Sequence, residues 1–250
     1  MQLIRGSSSY AILVLLGSFA SLGSMVGQVP AYPRYPPPAA SAARVQYMSG
    51  EISFAQCDLD KWSAASQNQR LTANTCVWAD KNSRAELNLG NGLVRMNSET
   101  SVTLVALSQS TVQLRVNQGS VSLSVPHLRG GEIYEIDTPN ATLTVMKSGV
   151  YRVDVLSHGD QTWVTVRRGM LAATGKGPAV NIDAGQQVRF QNENSLQHTA
   201  LKAPAPDGFD DWARVRDERL GVFRSGPFIV GIGPYWPAPP PPPVTGPYPY

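Results

Sequence analysis

Between Arg44 and Asn192 the chain is interrupted at short intervals by turn residues, and between the interruptions apolar and polar residues alternate. Val112, Leu114 and Val116 form one such set, Val121, Leu123 and Val125 a second, and Tyr151, Val153 and Val155 a third. A period of two puts alternate side chains on opposite faces of a strand, so each segment buries one face and wets the other. The interruptions are Gly50, Gly90-Asn91-Gly92, Gly119, Gly130-Gly131, Pro139-Asn140, Gly149, Gly159, Gly169, Gly175 and Gly185. From Gly119 onward they recur at about the 8–12-residue spacing of an all-β architecture. No sustained helical period competes with this pattern.

An internal repeat refines the expectation. TVQLRVNQGSVSLSV (Thr111–Val125) is answered by QTWVTVRRGMLAATG (Gln161–Gly175), with Val116/Val166 and Gly119/Gly169 each 50 positions apart. YEIDTPN (Tyr134–Asn140) is answered by VNIDAGQ (Val180–Gln186) at an offset of 46. Each unit reads as strand, glycine turn, strand, loop, and a strand ending in Ile-Asp. Such a unit hides its apolar face by stacking on its neighbour. The predicted fold is all-β, made of rolled or stacked short antiparallel strands in a β-solenoid or roll-like arrangement, with one C-terminal helix and a Pro-rich tail.

The flanks are of a different kind. Of 20 prolines, 5 lie in Pro30–Pro38 and 10 in Gly226–Tyr250. Proline fixes φ and removes a ladder donor, so neither stretch can be helix or sheet interior. The N-terminus carries one charge in Met1–Arg5, an apolar run AILVLL at Ala11–Leu16, and then small residues. That is the layout of an export signal, shorter than the ~20 apolar residues of a membrane span. Residues 1–31 are therefore expected to be a signal peptide, cleaved after Ala31 or at Gly23 or Gly27; an uncleaved anchor helix is the alternative. Residues 32–43 read as a Pro/Ala-rich linker, 44–192 as the β domain, 193–221 as a linker with a capping helix, and 222–250 as a disordered Pro/aromatic-rich tail. Localisation is expected to be the periplasm or outside the cell, with no membrane span remaining after cleavage.

Two cysteines, Cys57 and Cys76, fit an exported chain. An even count in an oxidising compartment favours a disulfide, with two free buried thiols as the alternative. His127, His158 and His198 are remote from both in sequence, so no zinc-type spacing exists and neither metal nor cofactor is expected. A net charge of +3 with interspersed signs offers no footprint for nucleic acid.

Asp207 precedes FDDWARVRDERL, where Phe209, Trp212, Ala213, Arg216 and Leu220 fall on one side of a helix. Asp207 can accept from the open amides of the first turn, and Asp210 and Asp211 favour the positive end. Phe209 and Trp212 are expected to lie across an open sheet, or alternatively to form a face for a partner. In the tail, Pro239–Pro243 reads as polyproline II, a stiff spacer or a ligand for an aromatic groove. Tyr235 and Trp236, with Phe209 and Trp212, are the candidate interaction surface.

Signatures of catalysis are missing: the chain has no GxSxG, SxxK, HExxH, P-loop or GxGxxG. Asp58 and Asp60 read as hairpin turn residues, and Arg167-Arg168 as a surface pair pointing to opposite faces of a strand. Trp62, Trp78 and Trp163 read as core or hairpin anchors. The expectation is a protein that binds rather than transforms, with no catalytic residues; an enzyme acting on envelope sugars is the least favoured reading.

AELNLGNG (Ala85–Gly92), NSETS (Asn97–Ser101), VQLRVNQGSV (Val112–Val121), YEIDTPN, SGVYRVDV (Ser148–Val155), VTVRRG (Val164–Gly169) and DAGQQ (Asp183–Gln187) together resemble the FecR domain. The resemblance implies a periplasmic β module. In founding members it receives a signal from an outer-membrane transporter, and a cytoplasmic segment passes it to a sigma factor. Only the short leader precedes the β region here, so that cytoplasmic segment is not expected. What carries over is a non-catalytic envelope module acting through protein–protein interaction. Its partner is an unidentified envelope protein, with a cell-wall polymer or polysaccharide as the alternative.

Overall fold

The computed structural model describes residues 42–59, 61–156, 159–191 and 196–223. The expected signal segment, nearly all of the linker 32–43, most of the tail, Asp60, His158, Tyr235 and Trp236 lie outside them.

The described chain is all-β with one helix. Its strands are β1 Ala43–Ser49, β2 Ile52–Gln56, β3 Ser63–Ala64, β4 Arg70–Leu71, β5 Thr75–Ala79 and β6 Arg84–Asn88. Next come β7 Leu93–Met96, β8 Thr100–Leu107, β9 Thr111–Val125, β10 Ile133–Asp137, β11 Thr142–Val145 and β12 Gly149–Val155. β13 Gln161–Arg168, β14 Met170–Gly175, β15 Gly177–Asp183, β16 Gln186–Gln191 and β17 Gln197–Lys202 lead to α1 Gly208–Leu220.

These strands make two sheets joined through β9. The first runs β4-β1-β6-β7-β9-β12-β13-β16-β17, antiparallel throughout. The second runs β3-β2-β5-β8-β9-β10-β11-β14-β15, antiparallel except where β10 lies parallel to β9. Side chains from both sheets, Val94, Leu123 and Val153 from one and Leu104, Leu114 and Ile136 from the other, are fully buried in one apolar cluster. The two layers therefore stack through the alternation that the sequence displays.

The repeat glycines have a different job from the one expected. Gly119 does not turn the chain back: β9 continues through it, pairing β8 before the glycine and β7 and β12 after it. Gly169 likewise separates β13 of the first sheet from β14 of the second. Their φ angles are nearly equal, 89° and 90°, in a region that disfavours any residue with a Cβ. Both are crossing points between layers, but the chain crosses in opposite senses, so the two copies are not superimposable halves.

β17 is a second departure. QHTALK falls in the stretch expected to be linker, yet it adds a strand to the first sheet beside β16. Every residue of β17 is exposed, so no apolar alternation marks it in the sequence. The disulfide is present: Cys57 and Cys76 are joined with Cα atoms 5.1 Å apart, tying the end of β2 to β5. Among the described residues no helix is long and apolar enough to cross a membrane.

α1 begins as its sequence indicates. The Asp207 carboxylate accepts from the amides of Phe209 and Asp210, while the Asp210 carboxylate accepts from the amide of Asp207, closing a reciprocal box. It ends at Gly221, whose amide reaches the carbonyls of Asp217 and Glu218 in a left-handed cap.

Candidate functional site

α1 lies on the outer face of the first sheet, and the register there lines up polar residues. Tyr47, Glu86, Arg95, Ser122, Arg152, Thr165 and Gln187 are successive cross-strand neighbours from β1 to β16. By alternation alone this row belongs in water. The helix covers the part from Tyr47 to Arg152 instead, and β6, β7 and the second half of β9 become buried on both faces.

Covering charge requires pairing it. Glu86 and Arg95 are fully buried and bond at 2.8 Å. The same guanidinium donates to Ser124 Oγ at 3.0 Å and to Asp217 of the helix at 2.8 Å. Ser124 Oγ in turn donates to the second Asp217 oxygen at 2.9 Å. From the helix, Arg216 donates to Glu86 at 2.6 Å and lies 4.5 Å above the Tyr47 ring. Ser122 and Ser124 carry small side chains where α1 approaches β9, which leaves room for this network. Burial pushes the Asp217 carboxyl above its ordinary range, against the pull of Arg95.

A second group fastens the N-terminal turn. Arg152 donates to Asp154 at 2.9 Å, to Asp207 at 2.6 Å and to Asp210 at 2.9 Å. Arg167 donates to Asp210 at 2.7 Å and to the Pro204 carbonyl at 2.5 Å. Burial tends to raise the Asp207 carboxyl, but amide donors and Arg152 outweigh it and hold the group at about 2. Asp154 is raised by burial, with Arg152 and Ser120 opposing.

The aromatic expectation divides. Phe209 is only 3% exposed. It stacks on Trp212 and sits beneath the guanidiniums of Arg84 and Arg152, so its face is turned to the sheet and is not available to a partner. Trp212 keeps part of its surface while touching Tyr47 and Arg84. The buried stripe of α1 is Phe209, Ala213 and Asp217, whereas Arg216 and Leu220, expected on that side, flank it.

Arg167 and Arg168 correct another expectation. The pairing of β12 with β13 shifts between Val150 and Tyr151, leaving Arg167 as an extra residue, and the strict alternation of faces fails there. Both arginines reach the α1 side: Arg167 pairs with Asp210, and Arg168 lies 4.7 Å from the Phe223 ring centre. They help line a cleft of about 560 Å³ between α1 and the sheet, together with Val150, Pro206, Arg214 and Phe223. Its acids and bases largely neutralise one another. Elsewhere, Trp62 is half exposed rather than a core anchor, and Trp163 lies beneath Arg189.

Sequence reading did not identify Glu86, Arg95 or Asp217. Each is a charged residue at an ordinary polar position, and only the covering helix makes it a buried group. Among the described residues no cluster of three or more His, Cys, Asp or Glu side chains is placed to hold a metal ion.

No curated protein matches the chain. Two crystal structures of a candidate anti-sigma factor from Parabacteroides distasonis ATCC 8503 are similar at 15% identity. One has a TM-score of 0.43 and covers 51% of this chain and 58% of that one. The other has a TM-score of 0.45 and covers 56% and 64%. In both cases less than two thirds of the similar protein is spanned. The family described as FecR protein matches residues 75–172, the stretch from β5 into β14.

Proposed function

We propose that this chain is a non-catalytic envelope module that works by binding another protein, in a signalling or regulatory role in the periplasm. The FecR match over residues 75–172 carries the reading. Two features support binding over catalysis. The charged side chains under α1 are spent on one another, with Glu86 and Arg95 sealed from water. The cleft beside α1 combines apolar walls with balanced charge, which suits a surface that must be selective without being reactive. Trp212, with Tyr235 and Trp236 of the tail, is the surface assigned to the partner, and Phe209 supports Trp212 from below.

The test is crosslinking in intact cells through a photoreactive residue at position 212, followed by identification of the attached molecules. Recovery of a defined envelope protein supports the reading. Recovery of cell-wall fragments alone would replace it with polysaccharide binding.

A further inference from the structure

The two sheets present free edges, and they are guarded unequally. At one end the edge strands β3 and β4 are two residues long, and β1 beyond β4 is bent by a bulge after Val45. At the far end of the second sheet, β15 contains Pro178 and pairs with β14 through a register shift. Short strands, bulges and proline are the devices by which edges avoid pairing with other chains. β17 has none of them. It is six residues long, pairs with β16 without a shift, and carries a single charge, at its last residue, Lys202.

The ladder fixes which backbone groups β17 turns outward. The Ala203 amide donates to the Gly185 carbonyl at 2.8 Å, and 203/185 continues the β16–β17 register. Hydrogen-bonded pairs alternate along an antiparallel ladder. Thr199 and Leu201 therefore direct their backbone groups to β16, whereas His198, Ala200 and Lys202 direct theirs away from it. No strand pairs with that side among the described residues.

We infer that the outward edge of β17 pairs antiparallel with the β17 of a second copy, joining two first sheets into one across a two-fold axis. The edge is self-complementary. A two-fold normal to the sheet at Ala200 sets Ala200 against its own counterpart and His198 against Lys202, so all three outward residues meet outward partners. Thr199 then faces Leu201, giving that exposed apolar side chain (45% exposed) a neighbour across the axis. Lys202 meets no second lysine. The inference is independent of the partner-binding reading above.

Sedimentation of the mature full chain across a range of concentrations tests it, alongside Ala200→Pro. That substitution removes an outward donor and leaves the bonds to β16 in place. A concentration-dependent dimer, lost in Ala200→Pro with the thermal midpoint nearly unchanged, is the expected result. Hydrogen exchange supplies a readout that does not depend on the variant: the amides of His198, Ala200 and Lys202 should be protected in the dimer and exchange freely on dilution. A wild-type chain that stays monomeric overturns the inference, whether those amides exchange freely or are covered by another part of the same chain. So does a dimer that Ala200→Pro leaves intact.

Discussion

Glu86 holds two guanidiniums at once, Arg95 from the sheet and Arg216 from the helix, in a place without solvent. Removing it leaves the fully buried Arg95 with only Asp217 to offset its charge. Glu86→Ala is therefore expected to cost about 3–5 kcal/mol, measured by denaturant unfolding. Arg214→Ala breaks the exposed contact to Glu218 and should leave the unfolding midpoint unchanged within error, because water replaces what is lost. The crossing glycines carry a comparable constraint. A Cβ at Gly119 would stand 2.5 Å from the Thr100 Cα, and one at Gly169 would run into the Tyr151 hydroxyl. At φ near 90° the backbone cost alone is about 1–3 kcal/mol, so Gly119→Ala and Gly169→Ala should each destabilise by at least that much in the same measurement. Charge at Asp207 has a definite pH signature. Its carboxyl lies at about 2 in the folded chain against an ordinary 3.8, so the ionised form favours the fold. That contribution is complete above 3.8 and disappears as pH falls toward 2. Asp207→Asn keeps a capping oxygen but lacks the charge, and its unfolding free energy should depend less on pH between about 4 and 2. Asp217 works in the opposite sense: its raised carboxyl favours the fold when protonated and loses that advantage as pH rises through the raised value.

α1 is held at both ends by carboxylates, with its cap and its clamp sharing residues. Asp207 and Asp210 close the first turn and also receive Arg152 and Arg167. Asp207→Ala should therefore loosen the helix by about 1 kcal/mol from the cap alone. Hydrogen exchange should detect this as faster exchange across α1, while amides in β12 and β13 remain protected. Legibility in the sequence differs by element. β9, β12 and β13 were readable because each has one apolar and one polar face, and Asp207 because a side-chain acceptor before a helix has a local purpose. β17 was unreadable because both its faces are wet, so nothing in QHTALK alternates. The polar row under α1 was readable as polar but not as buried, since the burial of Glu86 and Arg95 depends on helix residues 130 and 122 positions further along the chain. The Arg167 bulge was also hidden: alternation predicts opposite faces for Arg167 and Arg168 until an extra residue disturbs the count.

The described residues form two sheets that share one strand, and the disulfide joins β5 to the end of β2 near the edge of the second sheet. Fastening residues 19 apart removes unfolded-chain entropy worth about 3 kcal/mol in the loop-closure picture. Cys57→Ser with Cys76→Ser should reduce the unfolding free energy by that order. Reduction of the native chain by dithiothreitol should reproduce the loss, both read from denaturant curves. The helix has a further bearing on how the molecule comes into being. α1 follows every described strand, so whenever the sheets assemble before the helix docks, Glu86, Arg95, Ser122 and Ser124 face water. An apolar strip there would invite neighbouring chains during any such interval, whereas carboxylate, guanidinium and hydroxyl groups let solvent serve as a temporary lid until α1 docks.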